Sequence, residues 1–330
     1  MRPRLLKDTL RKLYRTKRAV HIEGPPGGGK TQLVEQVANE LGVQFIHKHI
    51  PTMLVEDFSI PMPEGDAITH KVVDWYPRDV NSEGILLYDE MPQGGNDLQK
   101  LIANQIQERE LHGHKLPDGW QIVMTGNRIS DRAGANRILS HLRNRMTVLS
   151  FDTHIDDWTA HAMASGVRPE VIALNRMHPN LLHDYHPNRE GNPSPRAWIE
   201  GVSDVMGSIP KEAEYEVFAG AVGEAAASEF MAMLKTSRTM PNIETILTSP
   251  TTAQVPAEGD AFLMTCYALS GALSHRADID NFSNILTYLT RLPNDFNVLT
   301  VTLAMRKNKD LAETGAFTQW ASTVGNDVLF

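Results

Sequence analysis

The sequence is short of cysteine, of long apolar runs and of positive charge, and each shortage excludes something. One cysteine, Cys266, stands among 330 residues, so no internal disulfide can form and a reducing, cytoplasmic location is expected. No apolar stretch approaches the ~18 residues that cross a bilayer as a helix, and the first residues lack the apolar core of a signal peptide, so no membrane role is expected. A net charge of −8 argues against a surface that binds nucleic acid throughout. There is no internal repeat and no low-complexity tract, which leaves an ordinary globular chain long enough for two or three domains.

The positive charge that is present is concentrated. Residues 1–18 carry eight Lys or Arg against one Asp, about +7, which leaves the rest of the chain near −15. Leu6, Leu10, Leu13 and Tyr14 give this segment a helical stripe. Two readings stand: a packed helix with a solvated basic face, or an arm that binds phosphate or a partner.

The most informative stretch follows at once. Gly24-Pro25-Pro26-Gly27-Gly28-Gly29-Lys30-Thr31, with Gln32 after it, fits G-x-x-x-x-G-K-S/T, a phosphate-binding loop. An alternating apolar segment, 19–23, precedes it. A helix-period run with Leu33, Val34, Val37 and Leu41 follows and stops at Gly42. Glycines let backbone N–H groups turn around a phosphate, and the helix N-terminus adds positive partial charge. Lys30 is expected to reach the β- and γ-phosphates and the Thr31 hydroxyl to take a Mg2+ position.

About 60 residues on, Gly84 to Glu90 reads as a strand buried on both faces and ending in two carboxylates. This is the Walker B pattern: Asp89 for the Mg2+ shell, Glu90 to orient and deprotonate the attacking water. A third strand, 121–125, leads to Gly126-Asn127, a polar amide that reaches the γ-phosphate or is a plain turn. Arg143 and Arg145, before a strand-like segment at 147–151, are either surface charges or a finger for a neighbouring subunit's γ-phosphate. His47 and His49 alternate along a strand-like segment and share a face, where they could line a pocket.

This order of parts resembles the AAA+ ATPases, and within them the MoxR-like branch with its CbbQ and NorQ types, over roughly residues 15–235. The marks are GPPGGGKT, LLYDEMP, the helix ending Gln107-Glu108-Arg109, MTGN, SHLRNRM, and Asn192-Pro193-Ser194-Pro195-Arg196-Ala197. The resemblance implies sensor 1 at Asn127, the arginine finger at Arg145 with Arg143 as a second candidate, and sensor 2 at Arg196 on a small helical lid. It also implies a hairpin over 108–120, ATP and Mg2+ as cofactors, and a homohexameric ring with each nucleotide held between subunits. A protein partner, often one with a von Willebrand factor A domain, is implied with it. Met91-Pro92-Gln93 departs from the polar residues that commonly follow the Walker B acids.

The expected fold is α/β: a parallel sheet with helices on both faces, then an all-α lid and a helical extension. The expected division is a basic helix or arm at 1–18, a nucleotide-binding core at 19–151, a lid at 152–238 and an extension at 239–330. The extension has the general look of phage and bacterial relatives. Residues 51–80, with four prolines, read as an irregular excursion, and 237–260 as a linker or exposed loop. The expected activity is Mg2+-dependent ATP hydrolysis, coupled to remodelling of a protein partner or, as the alternative, to a motor or loader on nucleic acid. Nothing in the sequence chooses between ATP and GTP.

Overall fold

Every strand of the central sheet is parallel, and both of its faces are covered. The computed structural model describes residues 1–131, 138–237, 242–256, 259–273 and 281–324. They divide into two units: Met1–Asp157 with Tyr185–Arg189 and Ser194–Arg196, and Trp158–Asp184 with Glu190–Pro193 and Ala197–Phe330.

In the first unit the sheet comprises β1 (Ala19–Glu23), β2 (Gln44–His49), β5 (Glu83–Asp89), β8 (Gly119–Gly126) and β9 (Met146–Ser150), in the order β2-β5-β8-β1-β9. Alternation along the strands sends Val20, Ile22, Ile85, Leu87 and Val123 to one face. There they meet α1 (Pro3–Leu13) and α2 (Lys30–Leu41). Leu86, Tyr88, Ile122 and Met124 go to the other face, against α3 (Asn96–Glu108) and α4 (Ser140–Arg143). Burial on both faces is why these strands read as continuous apolar runs. Parallel order also puts the chain segments that follow β1, β5 and β8 at one edge, where ligands of such sheets bind.

Residues 51–80 are more ordered than the sequence suggested. β3 (Ser59–Glu64) and β4 (Ala67–Val72) form an antiparallel hairpin, with Pro61 opposite His70 and Pro63 opposite Ile68. The two prolines are two residues apart, so both sit where a strand's N–H points away from its partner, and the ladder loses no donor. A second hairpin pairs β6 (Glu110–Leu111) with β7 (His114–Lys115), inside the span where one was expected. The rings of His70 and His112 stack at 4.4 Å and join the two hairpins.

The second unit is helical among its described residues. α5 (Ile155–Ala164) leads into it, followed by α6 (Pro169–Met177) and a π-helical segment at Ala197–Ser203. Two helices follow, α7 (Glu214–Val222) and α8 (Glu224–Ser237). They break at Gly223, whose φ is 85° and whose added Cβ would lie 2.8 Å from the Gly191 carbonyl oxygen. Within 237–260, expected to be a loop, lie α9 (Ile243–Thr248), anchored by buried Ile246, and the start of α10 (Gly259–Ala272). α11 (Phe282–Leu289), α12 (Asn294–Lys307) and α13 (Gly315–Thr323) complete a core around Leu269, Ile285, Tyr288 and Val301. Cys266 is buried with its Sγ 3.4 Å from the Phe296 carbonyl oxygen. Burial pushes its thiol up to about 11, so it is a core residue and not a nucleophile.

Candidate active site

Gly24 to Gly29 form the turn between β1 and α2. Gly27 and Gly29 have φ of 72° and 92°, and Gly29 caps α2 in the left-handed region. Space explains two more glycines. A Cβ on Gly24 would lie 2.8 Å from the Phe151 carbonyl oxygen, and one on Gly28 would lie 2.8 Å from the Phe151 ring. Pro25 and Pro26 are half-buried in the same turn, and exposed Gln32 brings its amide oxygen beside Gly29.

Lys30 is buried at the start of α2, and its Nζ donates to the carbonyl oxygens of Gly24 (3.0 Å) and Pro25 (2.9 Å) and to Asn127 Oδ1 (2.9 Å). Burial lowers its pKa from 10.5 to about 8, with Arg196 adding to the fall while Glu90, Asp89 and Asp131 oppose it. An ammonium so poorly solvated gains when a phosphate arrives.

Asp89 ends β5. It accepts from Thr31 Oγ1, 3.0 Å from each carboxylate oxygen, from Thr125 Oγ1 at Oδ1, and from His47 Nε2 at Oδ2 (3.1 Å). Glu90 follows in a left-handed conformation, φ 54°, which costs energy in a residue with a Cβ and turns its side chain out of the strand alternation. Its Oε2 accepts from Asn127 Nδ2 (3.1 Å) and Gln93 Nε2 (2.7 Å), and its own backbone N–H donates to Thr125 Oγ1 (3.3 Å). The departure at Met91-Pro92-Gln93 thus still brings a polar contact to the acid.

Arg196 also comes to the loop, although 166 positions separate it from Lys30. Its backbone N–H donates to Gly27 O at 3.3 Å, and a Cβ on Gly27 would lie 2.6 Å from Ser194 Oγ. Arg143 is exposed, with Nη1 3.5 Å from Glu23 Oε1, and it lines an open recess with Glu23, Pro92, Asn127, Ile129 and Ile138. Arg145 is half-buried and reaches the Ala103 carbonyl oxygen at 3.5 Å. The structure therefore gathers the glycine loop, Lys30, Thr31, Asp89, Glu90, Asn127 and Arg196, with Arg143 on the rim and Arg145 turned toward α3.

Sequence reasoning passed over Thr125, although it left a signal, a hydroxyl at the end of an apolar strand two residues before Asn127. Gln93 and Ser194 stood inside quoted stretches, but their places beside Glu90 and Gly27 were not foreseen.

Residues 20–149 match the model of the AAA family, the ATPase family associated with various cellular activities. No curated protein sequence matches the chain. Among solved structures, a RuvB mutant of Thermotoga maritima is 15% identical over 74% of this chain and 75% of its own, with a TM-score of 0.40. NtrX from Brucella abortus in complex with ADP is 16% identical over 98% of this chain and 68% of its own, also at 0.40. The core is thus an AAA+ ATPase domain. ATP with Mg2+ is the cofactor of such a domain, and the residues fit it. A desolvated ammonium stands at the glycine turn, and near it a hydroxyl and a carboxylate offer the hard oxygens Mg2+ takes.

Proposed function

We propose that this AAA+ ATPase hydrolyses ATP with the residues gathered at the edge of its sheet and, as a homohexameric ring, uses the energy to remodel a protein partner. The observation that carries the reading is the bridge Lys30–Asn127–Glu90: one amide accepts from the phosphate-binding lysine and donates to the catalytic carboxylate. Asn127 and Gln93, both donating to Oε2, fix the plane of the Glu90 carboxylate. Lys30 and the loop amides bind the phosphates, Thr31 and Asp89 hold the ion, and Glu90 takes the water's proton. Mg2+, when bound, would neutralise the negative charge of the phosphates. Arg196 contacts the loop as sensor 2, and Arg143 or Arg145 serves the neighbouring subunit. Of these two, Arg143 is the more exposed and the less tied to its own core.

The remodelling role rests on the resemblance to the MoxR-like branch, with residues 152–238 as lid, 239–330 as extension and a von Willebrand factor A protein as a candidate partner. The motor reading relied on the basic first eighteen residues. Five of their eight cations have partners in their own unit: Arg2 with Asp157, Lys7 and Arg11 with Glu40, Lys17 with Asp118, and Arg18 with Thr147. That supports the packed helix over the free arm.

The test is Glu90→Gln. It is expected to bind ATP as tightly as the parent and to hydrolyse it at least ~100-fold more slowly. Near-parental turnover would remove Glu90 from its role. The same variant, held in ATP and used as bait in native lysate with and without nuclease, separates the two outputs. A nuclease-resistant protein supports remodelling, and partners lost to nuclease support the motor.

A further inference from the structure

β2 is the edge strand beside β5, with His47 opposite Leu87 and His49 opposite Asp89. Its histidines alternate onto one face, and it is the His47 ring that reaches the end of β5. An ionised carboxylate can only accept, so at 3.1 Å the Nε2 of His47 carries the proton and donates to Asp89 Oδ2. The other oxygen, Oδ1, accepts from the buried hydroxyl of Thr125. Thr31 lies 3.0 Å from both oxygens, but its hydroxyl has one proton to share between them. Thr125 and His47 are the donors given to one oxygen each. Phe45, stacked at 6.3 Å and 18° to the imidazole, steadies its plane.

We infer that His47 is a positioning residue for the divalent ion: its Nε2–H clamps Asp89 Oδ2, fixes the plane of the carboxylate, and so sets the Mg2+ affinity of the nucleotide site. The inference rests on the reading of Asp89 as an ion-holding residue. Groups that orient a ligating carboxylate typically change metal affinity by about 10- to 100-fold when removed.

The experiment titrates Mn2+ into the full chain with saturating ADP, following free Mn2+ by electron paramagnetic resonance, with nucleotide affinity in EDTA measured alongside. His47→Ala is expected to weaken Mn2+ binding about 10- to 100-fold while leaving metal-free ADP affinity unchanged. His47→Gln, which returns an N–H donor at similar reach, is expected to restore most of the loss. Unchanged Mn2+ affinity in His47→Ala overturns the inference. Equal losses in the alanine and glutamine variants overturn it too, since a donor is then not what matters. So does a fall in metal-free ADP affinity that matches the metal effect, which marks general damage. If the parent chain itself binds no Mn2+ with ADP, the reading of the nucleotide site fails first, and that result is distinct from the others.

Discussion

His21 is a fully buried histidine in β1, and neither of its ring nitrogens makes a hydrogen bond. Burial, with Arg143 and Lys30 nearby, pushes its pKa down to about 3, so the ring is neutral and its 3.7 Å approach to Glu23 is not an ion pair at neutral pH. The sign of the consequence follows. Between the unfolded value of 6.5 and about 3 the unfolded chain holds the extra proton, so His21 takes stability away as pH falls through that window. The slope is at most about 1.4 kcal/mol per pH unit. His21→Leu removes a group that satisfies no partner, so it is expected to keep stability at pH 7 and to flatten the loss of Tm from pH 6.5 to 4. A variant that melts as steeply with acid as the parent would assign that slope elsewhere. Gly27 is the opposite case, a residue with no tolerance. Gly27→Ala meets both a positive φ and Ser194, and it is expected to abolish ATP binding with the fold intact by circular dichroism. At this scale the sequence was legible where function is local. Lys30 and Thr31 follow their glycines, and Glu90 follows Asp89. It was not legible for Thr125, and for His47 it went no further than a pocket-lining reading, because both reach Asp89 through sheet register and not through spacing.

At the scale of elements, α1 shows how packing decides between two readings of a charge pattern. The eight-cation stretch 1–18 offers both an arm and a packed helix, and Leu6 and Leu10 are buried against α2 and the β1 face, while Tyr14 Oη donates to Gly119 O at 2.7 Å. Its exposed pairs add little, because water screens them, and the apolar stripe does most of the holding. Leu6→Ala is therefore expected to cost about 2–5 kcal/mol in denaturant unfolding, whereas Lys12→Gln on the solvated face is expected to move stability within about 0.5 kcal/mol. Comparable effects from the two would contradict the packed helix. The strands and helices of the core were readable because burial on both faces leaves a continuous apolar run and α2 a clean helical period. The β3–β4 hairpin was not. Its outer residues Ile60, Met62 and Ile68 are exposed, so burial imposes no alternation on them, and its prolines argue against a strand unless the partner's side is known.

At the scale of the whole molecule, the proposed site brings together a lysine, a hydroxyl, two carboxylates and an amide, and its cations are engaged within their own subunit. Lys30 is engaged with its own loop and Asn127, and Arg145 leans on Ala103. In the ring proposed above the next subunit would supply a guanidinium, and a head-to-tail interface of that kind has a consequence that mixing reveals. Lys30→Ala subunits cannot use their own nucleotide but still offer their arginines. Arg143→Ala subunits bind nucleotide but offer a defective finger. Each alone is expected to be nearly inactive. Mixed in equal amounts under exchange, they are expected to recover roughly a quarter of parental turnover, since one junction in four pairs an intact loop with an intact finger. Repeating the mixture with Arg145→Ala identifies the finger, because the arginine whose loss is complemented by Lys30→Ala subunits is the one that acts across the junction. If neither mixture recovers activity although both variants co-assemble, each subunit works with its own arginines. Arg143, on the rim of its own site beside Glu23, would then be the group that meets the γ-phosphate.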